Sequence, residues 1–263
     1  MEQLMRSVEM PRDQRRTRQD VRRMPVGRRR AGTDKINYLR VRSVALDKAV
    51  LRQNRVLTGH EPALFREPYQ LLRTQVLQRL KENHWNALAV TSPRASEGKT
   101  LTAINLAISM AREVGYTVVL VDANLRRPSM LEHLGLPERP GLSDYLTDVI
   151  PIEELLVQPY YFEDLVVLPG GRPLENSAEM LSSPRMEQLV SDMKSSTDKS
   201  IIIFDLPPVL ATAEALAFSP QVDTALLVIE DGVTKKEDIA RAVDLLSATN
   251  IVGTVLNKAG NNK

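Results

Sequence analysis

The tripeptide Gly98-Lys99-Thr100 closes a loop, Ser92-Pro93-Arg94-Ala95-Ser96-Glu97, that lies between a short apolar run, Ala87–Val90, and a stretch with apolar residues along much of its length, Leu101 to Glu113. Strand, tight loop and helix are the setting in which such a tripeptide binds a phosphate chain. A helix start offers unpaired N–H groups and the positive end of the helix dipole. Gly98 allows close backbone approach, Lys99 can reach the outer phosphates, and the Thr100 hydroxyl can ligate Mg²⁺. Ala95, Ser96, Glu97, Gly98, Lys99, Thr100 and Leu101 form the expected nucleotide cradle. The first glycine of G-x-x-x-x-G-K-[ST] is Pro93 here, so the context carries the reading as much as the tripeptide does.

Two carboxylates stand at the ends of later apolar runs. Thr117 to Val121 leads into Asp122-Ala123-Asn124-Leu125-Arg126-Arg127-Pro128, and Ile201-Ile202-Ile203-Phe204 leads into Asp205-Leu206-Pro207-Pro208. The C-terminal ends of parallel strands are where open α/β sheets place their ligands. The second segment has the form of a Walker B strand, whose four apolar residues suit burial on both faces. Asp205 is placed to hold the Mg²⁺ of a bound nucleotide, directly or through water. Asn257-Lys258 follows a last strand, Ile251 to Leu256, and reaches the same edge.

The elements that position these groups alternate. A helix is expected from Phe65 to His84, because Tyr69, Leu72, Val76 and Leu80 recur on one face, with Pro68 tolerable only in its first turn. A short helix follows the turn at Gly141, and Leu165 to Leu168 is a strand closed by Pro169-Gly170-Gly171. Helices are expected near 185–196, 211–218 and 234–248, with a strand at 223–229. Strands alternating with helices predict an α/β fold: a mainly parallel sheet with helices on both faces. A Rossmann dehydrogenase is not expected, since no G-x-G-x-x-G follows the first strand.

The net charge of +2 hides an asymmetry. Residues 1–42 hold 13 Lys/Arg against 5 Asp/Glu, a surplus of eight, which leaves the remainder at −6. Residues 1–60 show no sustained periodicity and are expected to be a basic, largely disordered arm, with the globular domain at 61–263. Such an arm suits peripheral contact with an anionic membrane. It lacks the aromatic interleaving of a base-stacking surface, and nucleic acid is not expected as a partner. No apolar run approaches the ~20 residues that span a bilayer, and no signal-peptide core opens the chain. The absence of cysteine excludes disulfides and thiolate chemistry and fits a cytoplasmic setting.

Taken together, Ser92–Thr100, Val119–Pro128 and Ile202–Pro208 resemble the three nucleotide motifs (Walker A, A′ and B) of the bacterial tyrosine autokinases, or BY-kinases, of capsule and exopolysaccharide synthesis. Gly141-Leu142-Ser143 and Leu168-Pro169-Gly170-Gly171 are similar to further segments of that family. The resemblance covers about residues 60–258. It implies a P-loop NTPase of the deviant Walker type, using ATP and Mg²⁺ to phosphorylate tyrosines. It also implies assembly into a homo-oligomer, and recruitment to the inner face of the cytoplasmic membrane by a polysaccharide co-polymerase or chain-length regulator. Residue by residue, it implies that Lys99 and Gly98 hold phosphates, and that Thr100, Asp122, Asn124 and Asp205 surround the metal. Asp122 would orient or deprotonate the incoming tyrosine, Asn257 would recognise adenine, and Arg126 would face the phosphates or a neighbouring subunit.

Three departures qualify the likeness. Asn124 stands where a second Asp is usual, so the metal site loses a charge. The oligomerisation motif reads Glu67-Pro68-Tyr69-Gln70-Leu71-Leu72-Arg73, with Gln70 in place of a basic residue. No tyrosine follows Tyr161, which leaves Tyr38, Tyr160 and Tyr161 as candidate acceptors, while Tyr69, Tyr116 and Tyr145 are expected to pack. Two other functions share the motifs. One is a positioning or partition ATPase, which usually carries a signature lysine where this chain has Arg94. The other is a nucleotide-gated scaffold without kinase activity.

Overall fold

The computed structural model describes residues 36, 41–113, 115–148, 150–196 and 199–260. Tyr38 and the arginine-rich arm up to residue 35 lie outside the described residues. Among those described, eight strands form one sheet: β1 (Arg42–Val44), β2 (Ala87–Thr91), β3 (Thr117–Asp122), β4 (Val157–Pro159), β5 (Leu165–Leu168), β6 (Ser200–Asp205), β7 (Thr224–Glu230) and β8 (Asn250–Asn257). Their order is β1-β4-β5-β3-β6-β2-β7-β8, and each pairing is parallel except that of β4 with β5. The mainly parallel α/β architecture is therefore as the alternating pattern predicts.

The helices are α1 (Lys48–Gln53), α2 (Ala63–Asn83), α3 (Lys99–Ala111), α4 (Met130–His133), α5 (Leu142–Thr147), α6 (Ile152–Leu155), α7 (Ser177–Leu181), α8 (Pro184–Ser195), α9 (Glu214–Phe218) and α10 (Lys236–Leu245). Alternate residues of each central strand enter opposite cores. Ala89, Val119, Val121, Ile202 and Phe204 pack on one face with Leu189, Met193 and Phe218. Leu88, Val90, Val118, Leu120, Ile201 and Ile203 pack on the other with Ile104, Leu106 and Ile108. This period of two explains why the strands read as unbroken apolar runs: both faces are covered. Helix α3, which carries Lys99 and Thr100, is buried along nearly its whole length and is thereby held rigidly against the sheet.

Two expectations need correction. The stretch expected to lack structure does not extend to residue 60, because β1 adds a strand to the sheet and α1 follows it. Leu46, Leu51, Val56 and Leu57 are buried, and Asn105 of α3 fixes the segment by accepting from Leu57 N (2.9 Å) and donating to the Arg55 carbonyl (3.0 Å). The second concerns α2, which begins at Ala63, so that Pro68 lies inside the helix rather than in its first turn. Pro68 removes the hydrogen bond to the Leu64 carbonyl. Leu64 is exposed, so water can take its place.

Candidate active site

Helix α3 starts where β2 ends, and the loop between them is braced on several sides. Ser96 (φ +66°) and Gly98 (φ +92°) both take the left-handed conformation, which glycine adopts without penalty. A Cβ on Gly98 would meet Asn257 Nδ2 at 2.1 Å, so the position also requires glycine for space. Asn257 Nδ2 donates to the Glu97 carbonyl (2.8 Å), and Lys258 Nζ to that of Ser96 (2.8 Å). The Glu97 side chain is buried inside the loop, where it accepts from Arg94 N (2.8 Å) and from the Thr234 hydroxyl. Arg94 reaches Asp238 on α10 through two hydrogen bonds of 2.7 and 3.0 Å. The segment after β6 is stitched to the loop too: Val209 N donates to the Ser92 carbonyl and Leu210 N to that of Pro93.

The three chemical groups of the sequence converge. Asp122 and Asp205 are direct neighbours in the register of β3 and β6. Thr100 Oγ1 donates to Asp205 Oδ2 (2.7 Å), and Lys99 Nζ lies 3.1 Å from Thr100 Oγ1 and 3.9 Å from Asp205 Oδ1. Asp122 is fixed by the backbone beyond it: Oδ2 accepts from Ser129 N (3.1 Å) and Met130 N (3.0 Å), and Oδ1 from Asn124 N (3.2 Å). Burial, reinforced by the charge on Asp205, pushes the Asp122 carboxyl up from 3.8 to about 7. Burial also raises Asp205, against the pull of Lys99 and the Thr100 hydrogen bond. Two buried carboxyls side by side repel, and a cation between or beside them relieves both.

The residues fit a magnesium ion. Asp205 Oδ1 is a buried oxygen with no hydrogen-bond partner, which suits a hard cation or a water of its shell. Among the described residues no group of three or more His, Cys, Asp or Glu is arranged to hold a metal by itself. A magnesium ion brought by a nucleotide is held mainly by phosphates and water, and Thr100 and Asp205 are the side chains that would add to its shell.

Other expected residues are placed as follows. Ala95 and Ser96 are exposed at the loop tip, and Leu101 is half-buried in the first turn of α3. Arg126 is already engaged: Nε binds Glu214 Oε1 (2.9 Å) and Nη2 the Glu175 carbonyl (3.2 Å), so facing a phosphate would require breaking that pair. The glycine-rich segments interlock beside Asp122, with Leu142 N on the Pro169 carbonyl (2.7 Å) and Ser143 N on that of Gly170 (2.9 Å). Gly170 lies so close that a Cβ would stand 3.3 Å from Asp122 Cγ. Asp122, Leu131, Leu136, Arg139, Pro140 and Arg172 line part of a cleft of ≈ 660 Å³ on this side.

Sequence reasoning missed the braces Thr234 and Asp238, which no local pattern marks, and His133. Burial lowers the pKa of His133, although the Asp205 charge acts on it in the opposite direction. Its position shortly after the Asp122 segment was the available signal.

Comparison with known proteins places this site. The ParA family, described as NUBPL iron-transfer P-loop NTPase, matches residues 83–261. The sequence has no cysteine, so the match speaks for the P-loop NTPase domain. Tyrosine-protein kinase YwqD of Bacillus subtilis is 34% identical over 208 residues, which are 78% of this chain and 86% of that protein. The kinase domain of the Escherichia coli tyrosine kinase ETK superposes with a TM-score of 0.69 at 26% identity, over 84% of this chain and 91% of that one. The Pyrococcus furiosus cell division ATPase MinD, at 24% identity and a TM-score of 0.55, covers 68% of this chain and 74% of its own and shares the fold. Motifs, converging side chains and relatives agree that this chain belongs to the bacterial tyrosine-protein kinases built on the ParA-type P-loop NTPase fold.

Proposed function

We propose that this protein transfers the γ-phosphoryl group of ATP to protein tyrosines in support of capsule or exopolysaccharide assembly. The observation that carries the reading is the position of Asp122. It is the register neighbour of Asp205, to which Thr100 donates, and it also lines the ≈ 660 Å³ cleft, so a side chain entering the cleft meets the phosphate site at a carboxylate. That carboxylate is held in place by the N–H groups of Asn124, Ser129 and Met130, which suits it to orient an entering hydroxyl and to take its proton.

Lys99 and the N–H groups at the start of α3 hold and neutralise the phosphates, and Thr100 and Asp205 hold the metal side of the site. Asp122 orients the tyrosine hydroxyl. Bound Mg²⁺ supplies charge neutralisation at the β- and γ-phosphates. Little covalent chemistry is asked of the protein; catalysis rests on positioning and electrostatics.

The position that carries a signature lysine in positioning ATPases holds Arg94, which is committed to Asp238 of its own chain. That favours the kinase reading over a partition role. The outer face of α2 exposes Leu64, Glu67 and Leu71, which supports contact with a second copy there. No helix among the described residues is long and apolar enough to cross a membrane. Recruitment by a membrane co-polymerase, aided by the basic arm, supplies the location.

Incubation with Mg-ATP and a Glu/Tyr copolymer should yield phosphotyrosine, lost in Lys99→Met and strongly reduced in Asp205→Asn. Phosphotyrosine that persists in Lys99→Met rejects the site.

A further inference from the structure

We infer that Asn54, at the end of α1, is a positioning residue for the phosphoryl transfer: through α4 it holds Asp122 in place relative to the phosphate helix α3. The inference rests on the kinase reading and adds to it a residue outside the cleft. Helix α4 spans only Met130–His133. A single turn fixes several backbone dihedrals for very few internal hydrogen bonds, so α4 does not hold itself together. Both of its ends are tied to side chains from elsewhere in the chain. At its start, Asp122 Oδ2 accepts from Ser129 N (3.1 Å) and Met130 N (3.0 Å). At its end, Asn54 Nδ2 donates to the carbonyls of Glu132 (3.1 Å) and His133 (3.0 Å).

The carbonyl end of α4 needs a donor from outside. The helical partner of the His133 carbonyl would be the N–H four residues on, and Pro137 has none to give. The Glu132 carbonyl receives Gly135 N (3.1 Å) as well as Asn54. The exit of α4 also touches α1 directly: Gly135 turns the chain at φ +66°, and a Cβ there would stand 2.6 Å from Val50 Cγ1. Met130 and Leu134 are buried in the same core as Leu51 and Val56. Apolar burial is non-directional, so it brings α4 against α1 without aiming it. The two hydrogen bonds of Asn54 supply the aim.

Asn54 is anchored in turn to the helix that carries the phosphate-binding residues. Leu57 N donates to Asn105 Oδ1 (2.9 Å), and Asn105 Nδ2 donates to the Arg55 carbonyl (3.0 Å). Asn105 is fully buried in α3, the helix of Lys99 and Thr100. A closed circuit results. It runs from α3 through Asn105 to Arg55 and Leu57, then through Asn54 and α4 to Asp122. Asp122 is the register neighbour of Asp205, which accepts from Thr100 and so returns the circuit to α3. The charges of Asp205 and Lys99 both act on the His133 ring, which sets α4 against the phosphate site. Without Asn54, α4 keeps its apolar seat, but its carbonyl end is no longer aimed, and the N–H groups that orient Asp122 shift with it. Transfer depends on where Asp122 meets the incoming hydroxyl, and a misplacement of about 1 Å can cost about 100-fold in rate. Nucleotide binding depends on Lys99, Thr100 and the loop before them, which Asn54 does not touch.

The test compares the full-length protein with Asn54→Ala, Asn54→Asp and Asp47→Ala. Aspartate keeps the shape of Asn54 and lacks its NH₂ group. Asp47 caps the opposite end of α1, where Oδ1 accepts from Ala49 N (2.7 Å), so its removal weakens α1 without touching α4. For each protein, kcat and KM are measured for phosphorylation of a Glu/Tyr copolymer, Kd for Mg-ADP by calorimetry, and hydrogen exchange of residues 125–134 by mass spectrometry, all well below the melting temperature. Both Asn54 variants should lose about 10- to 100-fold in kcat, with faster exchange in that segment and Kd for Mg-ADP unchanged. Asp47→Ala should match the parent in kcat and in exchange. Parental kcat in the Asn54 variants overturns the inference and leaves the kinase reading intact. Equal losses of kcat and Mg-ADP affinity, failure of both Asn54 variants to fold, or a matching loss of kcat in Asp47→Ala makes the segment a general support of the fold and also overturns it. A parent protein that transfers nothing to the copolymer overturns the kinase reading and this inference with it.

Discussion

Replacing Asp205 by Asn should make the nucleotide-free protein more stable at pH 8 while removing most of its response to Mg-ATP. Asp122 is pushed to about 7, first by burial and then by the charge on Asp205. At about 1.4 kcal/mol per pH unit, ionising Asp122 in the folded chain above pH 7 costs about 4 kcal/mol relative to the unfolded chain. Asp205 pays its own desolvation as well. The amide removes the repulsion and the charge, keeps an oxygen for the Thr100 hydroxyl, and places an NH₂ where Oδ1 has no partner. Against this, Lys99, only 12% exposed, loses its carboxylate neighbour at 3.9 Å and the new NH₂ finds no acceptor beside it, a combined loss of about 1–3 kcal/mol. The net gain is about 1 kcal/mol, roughly 3 °C in melting temperature for a body of this size.

The pH dependence has a definite sign. An acid whose folded pKa lies above its unfolded value binds more protons in the folded state between the two, so stability falls as pH rises through that window, from 3.8 to about 7 for Asp122. The advantage of Asp205→Asn should therefore be full at pH 8 and shrink as pH falls toward 4. Thermal unfolding followed by circular dichroism, with and without Mg-ATP, measures both effects. Ligand at a hundredfold excess over Kd stabilises the native protein by about 2.7 kcal/mol, and the variant should gain far less. An Asp205→Asn protein that is less stable than the parent at pH 8 would refute the reasoning and make Asp205 a structural partner of Lys99.

Further substitutions probe the surroundings. Gly98→Ala places a methyl group 2.1 Å from Asn257 Nδ2 at a φ of +92°; it should cost about 1–3 kcal/mol and abolish Mg-ADP binding in calorimetry. Burial alone would raise Glu214, but hydrogen bonds from Ser177, its own N–H, Arg126 and Thr212 outweigh that and hold it at about 2. Its contribution is present above pH 4.5 and lost as pH falls toward 2, so Glu214→Gln should destabilise by about 1–3 kcal/mol at pH 7 and flatten the acid limb in urea titrations. Phe204→Ala empties a fully buried site packed on Phe218 at 4.8 Å, and should cost about 3–5 kcal/mol in the same measurement.

The nucleotide edge was legible because its parts are local. Gly98-Lys99-Thr100 sits at a strand–helix junction, and Asp122 and Asp205 each terminate a run of apolar residues long enough to show both-face burial. Residues 42–57 were not legible, since Leu46, Leu51, Val56 and Leu57 are spread among Arg42, Lys48, Arg52 and Arg55 in elements of three and six residues. Such short pieces show no period, and they hold because Asn105 and the α3 core receive them. The braces of the phosphate loop escaped for a different reason. Glu97 meets Thr234 and Arg94 meets Asp238 across 137 and 144 residues, and no local pattern encodes a pairing at that separation.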